Sequence, residues 1–211
     1  MANDPVTRLL GEAGRRKVEE SIRAAETRTS GEIVVMVVES SARYRHQAMV
    51  GALLSSMALS VASAHFLGGD GMWAFLSLFV PLFVAFHELL VRMPSLRRLL
   101  ARKAEMEEAV GRASLAAFYE KGITGTEGRT GVLIYISLFE RMVRVVADRG
   151  INDKVDEGAW TGVVEGIVRG IRGADAAGAL SAAVEQCGRL LESHFPIQSG
   201  DRNELSDRIR S

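Results

Sequence analysis

RTGVLIYISLFERMVRVVADRG, Arg129 to Gly150, holds two strand-like runs joined by a short polar connection, and its reading decides the fold. Val132 to Ile136 is unbroken apolar and rich in β-branched residues, the pattern of a central strand covered on both faces. Met142 to Asp148 alternates instead. Val143, Val145 and Ala147 fall on one face, and Met142, Arg144, Val146 and Asp148 on the other. Leu138 to Arg141 supplies the connection of a β-hairpin.

Outward from this hairpin, Glu32 to Val38 (EIVVMVV) reads as a further buried strand. The helix before it starts at Asp4-Pro5, where the Asp can cap and the Pro needs no N–H donor, and stops before Ser30-Gly31. A long amphipathic helix is expected from Ser95 to Lys121, ended by Gly122. Two more helices, Asp156 to Ile171 and Asp175 to His194, part at Gly173 and are closed by Pro196. From Gln198 the chain is polar and expected to be loose.

Between the first strand and the long helix the composition changes abruptly. Ala48 to Leu67 carries no Asp, Glu, Lys or Arg, and Met72 to Val91 is interrupted only by His87 and Glu88 near its end. Each run has the length of a bilayer-spanning helix, and the small residues Ser56, Ser60 and Ala64 would let the two approach closely. Arg43 and Arg45 precede the pair, five basic residues between Arg92 and Lys103 follow it, and the connecting Gly68–Gly71 has none. The positive-inside rule then makes both termini and the globular part cytoplasmic. Glu88 is expected at the same level as Arg45 and His46, and to form an interfacial ion pair rather than serve a proton relay. No secretory signal opens the chain.

The 211 residues are 47% hydrophobic, enough for a substantial core. Lys plus Arg and Asp plus Glu balance at 26 each, which gives no basis for a nucleic-acid partner. The single cysteine excludes an internal disulfide, and Cys187 shares helical spacing with Leu180, Val184 and Leu191, as a buried apolar residue would. The sequence therefore divides into 1–44 (helix and first strand), 45–92 (membrane hairpin), 93–197 (the rest of the globular domain) and 198–211 (polar tail).

Connection lengths also place a candidate site. A helical crossover makes the first two strands parallel, and the hairpin makes the last two antiparallel. The end of the third strand thus lies near the start of the first. Asp148 is brought toward Glu32, joined by Asp153, Asp156 and Glu157 at the following helix start. Carboxylates gathered at one edge suit a hard divalent cation such as Ca²⁺ or Mg²⁺. Helix capping and solvation explain Asp153, Asp156 and Glu157 equally well. The four histidines are too scattered for a local metal motif, and no catalytic residue can be assigned.

SGEIVVMVVES, FYEKGI, TGVLIYISLFERMVRVVADRGI and IVRGIRGADAAGAL, in that order, resemble successive blocks of the TPM domain family, with Gly122, Gly131, Gly150 and the hairpin as the most specific parts. The resemblance implies an α/β/α sandwich around a small mixed sheet, divalent-cation binding, modest phosphatase activity, and accessory roles in assembling or maintaining membrane complexes. The expectation is an α/β fold with two transmembrane helices inserted after its first strand. It serves as an accessory or interaction module among other membrane proteins, and the rival reading is a weak metal-dependent acid phosphatase.

Overall fold

A computed structural model describes residues 4–66, 72–198 and 201–211, without the side chains of Ala74 and Glu157. The Gly68–Gly71 connection lies outside the described residues. Two compact units result: Met1–Ser41 with Glu107–Ser211, and Ala42–Met106.

The first unit is built on a three-stranded sheet of order β1 (Glu32–Val38), β2 (Gly131–Ser137), β3 (Met142–Ala147). β1 and β2 run parallel, Glu32 opposite Gly131; β2 and β3 run antiparallel, Ser137 opposite Met142. β2 is buried along its whole length, as its unbroken apolar run requires. α1 (Pro5–Glu26), α7 (Thr161–Arg172) and α8 (Ala176–His194) cover one face. Val18, Ile22, Val163, Ile167, Leu180, Val184 and Cys187 pack there on Ile33, Val35, Ile134 and Ile136. The other face is covered by α5 (Lys103–Glu120), whose Val110, Ala117 and Phe118 pack on Val34, Leu133, Tyr135 and Val146. The odd and even residues of each strand thus feed separate cores, and the layers are those of an α/β/α sandwich.

Capping follows the sequence closely. Asp4 accepts the Val6 N–H at α1, and Asp175 accepts the Gly178 N–H at α8. Cys187 is fully buried on α8, and burial pushes its thiol up to about 12, so it is inert packing.

The second unit is a helical hairpin, α2 (Arg45–Phe66) and α3 (Met72–Arg92), with α4 (Pro94–Leu100). Its inner seam is Ala48, Ala52, Ser56 and Ser60, spaced four apart, with Leu90 and the partly buried Phe83 and Phe86 against Ala48 and Ala52. Leu54, Met57, Val61, Val80 and Val84 point outward and are exposed. Both helices are long and apolar enough to cross a membrane, with mean hydropathies of 1.5 and 1.7.

Two expectations are corrected, and the ion pair expected of Glu88 receives its partner. The long helix after Pro94 is two helices, broken where Ala101 is extended; the break turns Leu96 toward the Phe83–Leu90 group and Leu100 toward Gly51. Glu88 pairs with Arg92, one turn on, at 3.1 Å, because a partner on the same helix needs no ordering of a second element. The segment 201–211 is not loose: its backbone and side chains bond to α1 and β1, and Ile209 is buried.

Candidate functional site

A cleft of about 560 Å³ runs along the open edge of β3. The Asp148 N–H donates to the Gly131 carbonyl at 2.9 Å, which fixes the phase of the antiparallel ladder. Met142, Arg144 and Val146 therefore aim their backbone groups at β2, and Val143, Val145 and Ala147 aim theirs outward. Only the Ala147 carbonyl meets a recorded partner among the described residues, the Asn152 amide at 2.9 Å.

The cleft's polar groups come from three places. Asp148 caps the short helix α6 (Arg149–Asn152), its Oδ1 accepting the Arg149 N–H at 2.7 Å. Its Oδ2 is buried and has no hydrogen-bond partner, although the residue is only 6% exposed. Trp160, at the end of the 3₁₀ turn Glu157–Trp160, lines the same cleft with a buried indole N–H that is also unpartnered. Arg144 lies across α5 where Gly111 leaves room: a Cβ there would stand 2.8 Å from its Nη1. With Arg149 it gives the cleft two guanidinium groups, and Leu115, Phe118 and Tyr119 of α5 form an apolar wall. Two unmet buried groups, one acceptor and one donor, are the features that need a ligand or water to satisfy them.

The sequence-assigned carboxylates are arranged as follows. Glu32 and Asp148 stand at the same end of the sheet, on either side of Gly131, as the connection lengths imply. Glu32 spends both oxygens on the N–H groups of Glu204 and Leu205, at 2.9 and 3.3 Å. Burial, together with Glu204 and Asp207, holds its carboxyl above the usual range. Asp153 is exposed and lies 3.8 Å from Arg149. Asp156 caps the 3₁₀ turn through the Gly158 N–H at 3.0 Å. The Glu157 side chain lies outside the described residues. No three His, Cys, Asp or Glu side chains come together as a metal-holding group among the described residues. The four assigned carboxylates that are described are thus not gathered into one group. Asp148 Oδ2 alone among them is buried without a hydrogen-bond partner, a single oxygen where calcium takes six to eight.

Trp160, Arg144, Asn152 and Glu140 were not singled out from the sequence. Trp160 carried a signal, as one of only two tryptophans in the chain. Glu140 lies in the hairpin connection and is fully buried, accepting from Ser137 Oγ, Ser40 Oγ and the Ser41 N–H. It ties the end of β1 to the hairpin turn. Polar character alone does not distinguish it from a solvated turn residue.

An α/β/α sandwich with a mixed three-stranded sheet is the class of fold these elements define. The family model described as the TPM domain matches residues 97–190. Among solved structures, the NMR structure of BA42 protein from the psychrophilic bacterium Bizionia argentinensis is similar, with a TM-score of 0.61 at 18% identity. The match covers 100% of this chain and 97% of that one, and it establishes likeness of fold. No curated protein matches the chain.

Proposed function

We propose that the chain is a membrane-anchored, non-catalytic interaction module, its TPM-like domain carried in the cytoplasm by the α2–α3 hairpin. The observation that carries this reading is the outward apolar surface of the hairpin. Only 22% of the apolar stretch of α2 and 6% of that of α3 are buried, whereas the core helix of a soluble protein is mostly buried. A bilayer is the solvent such a surface requires, and the small-residue seam is the packing two helices use inside one. The domain offers an open strand edge beside a cleft, a surface suited to an extended polypeptide.

The test is fractionation of the full chain. Retention in membranes through alkaline carbonate, without turnover of an aryl phosphate in Ca²⁺, Mg²⁺ or Mn²⁺, is the expected pair of results. Release by carbonate refutes the anchor, and metal-dependent turnover returns the phosphatase.

A second reading is favoured by the unpartnered Asp148 Oδ2: a divalent cation held there with water and backbone oxygens. Calorimetric titration of each ion into wild type and Asp148→Asn separates the two. Binding lost in the variant supports a cation, and absence of binding by the folded wild type removes it.

A further inference from the structure

The open edge of β1 is filled by a segment of the same chain. β1 pairs with β2 through Glu32, Val34, Met36 and Val38, as the Glu32 N–H to Thr130 and Leu138 N–H to Val38 bonds show, so its odd residues face outward. Each of those outward residues is met. Ile33 donates its N–H to Glu26 Oε1 at 2.9 Å. The Val35 carbonyl accepts from the Arg210 N–H at 3.0 Å, and the Val37 N–H donates to the Arg210 carbonyl at 2.9 Å. This is one parallel bridge, Met36 opposite Arg210, and it makes residue 210 a fourth strand one residue long.

The approach to that bridge is built from carboxylates that hold a backbone irrespective of its side chains. Glu32 takes the N–H groups of residues 204 and 205, and Glu19 takes that of residue 209 at 3.2 Å. Side-chain recognition comes from two apolar positions four apart. Ile209 is 4% exposed within the core beneath α1, and Leu205 packs on the α5 side. A groove that bonds an extended backbone and reads two apolar side chains is the recognition mode of strand addition.

The present occupant fits it incompletely. Between residues 201 and 211 only Ile209 is buried, so one apolar side chain and a few hydrogen bonds stand against the ordering of a whole segment, terms of comparable size. Its charges oppose it as well. Asp207 and Glu204 are brought to Glu26 and Glu32, and the Arg23 guanidinium, 3.0 Å from Asp207, is the basic partner recorded for this group. Glu26 is pushed up to about 8, by burial first and then by Glu32 and Asp207, a sign of the crowding.

We propose that the outer edge of β1 is a strand-addition site, occupied in cis by residues 201–211 and open to exchange. Its partner is an extended protein segment with apolar residues where this one has Leu205 and Ile209, and a basic residue where it has Asp207. Such a segment keeps every backbone bond of the present occupant and, in exchange for the Arg23 pair, replaces the repulsion from Glu26 and Glu32 by attraction.

The test uses fluorescent synthetic peptides of residues 201–211, with the native sequence and with Asp207→Lys, added to the full chain. Two variants free the groove: Arg210→Pro, which deletes the N–H given to Val35, and Ile209→Asp, which empties the apolar position. The expected result is peptide binding at least tenfold tighter to Arg210→Pro than to wild type, with the Asp207→Lys peptide tighter than the native one. Ile209→Asp is expected to behave likewise. Failure of both folded variants to bind either peptide overturns the proposal. So does exchange of the Val37 amide in wild type as slow as that of amides in β2, because the segment then never leaves. Concentration-dependent dimers of wild type that are lost in Ile209→Asp would make the occupant a second copy of this chain and overturn the assignment of a foreign partner.

Discussion

Replacing Gly131 by alanine tests the packing logic of the sheet most directly. Gly131 opens β2 between two neighbours, opposite Glu32 on one side and accepting the Asp148 N–H on the other, so it cannot slide sideways. A Cβ there would stand 2.5 Å from the Ile123 carbonyl oxygen and 2.6 Å from Ile123 Cγ2, well inside van der Waals contact. Ile123 is fully buried and has nowhere to retreat. Overpacking of this kind costs about 1–3 kcal/mol, and two fixed obstacles place this case near the upper end. Gly166→Ala is the matched control: it lies within α7, nothing stands within 4 Å of its added Cβ, and the change should stabilise by about 0.5–1 kcal/mol. Urea unfolding in detergent, followed by Trp160 emission in a Trp73→Phe background, measures both. The reasoning fails if Gly131→Ala unfolds within about 0.5 kcal/mol of wild type, the usual range of a neutral surface change.

Three further outcomes are expected. Docking of residues 201–211 depends on pH through Glu26, which faces Glu32 on β1 and Asn203 and Asp207 of the segment, Asp207 being paired in turn with Arg23 of α1. The docked state holds its proton up to about pH 8 against an ordinary value of 4.5, so docking is unpenalised below about 4.5, weakens as pH rises toward 8, and levels off above it. Val37 amide exchange, corrected for its intrinsic pH dependence, reads this, at no more than about tenfold per pH unit, and Glu26→Gln should flatten the profile. Asp148→Ala should cost about 1 kcal/mol by removing the cap of α6, whereas Asp148→Asn keeps an acceptor and most of that stability; equal losses would refute the capping role. On the proposed orientation, Asp70→Cys should react with a membrane-impermeant thiol reagent in intact cells, against a silent background from buried Cys187. Reaction only after the membrane is opened reverses the topology.

The sheet was legible because its signals are local and redundant. Val132 to Ile136 and the alternation from Met142 onward fix strand type, and the four-residue connection Leu138 to Arg141 fixes the register found, Ser137 opposite Met142. The parallel pairing of β1 with β2 followed from the helical length between them. What escaped was decided by tertiary partners. The break at Ala101 has no glycine or proline to announce it and follows from where Leu96 and Leu100 pack. The tail read as loose because its only buried apolar residue is Ile209, and its hold depends on carboxylates of α1 and β1 that are far away in sequence. The site was half visible. Asp148 was placed at the right end of the sheet, but its open oxygen, and the indole that lines the same cleft, depend on side-chain surroundings that spacing does not encode.

The place of the helical hairpin in the chain has a consequence for biogenesis. Glu32 and its partner Gly131 are separated by about a hundred positions, so at 5–20 residues per second β1 leaves the ribosome roughly 5–20 s before the strand it pairs with exists. Throughout that interval EIVVMVV is an unpaired apolar strand, and the next segments to emerge are the hairpin helices. On the proposed anchoring, insertion of the hairpin precedes closure of the sheet, and a delay there prolongs the time for which an aggregation-prone strand stands open. The demand for protection during synthesis falls on β1, although the segments that follow it set the delay.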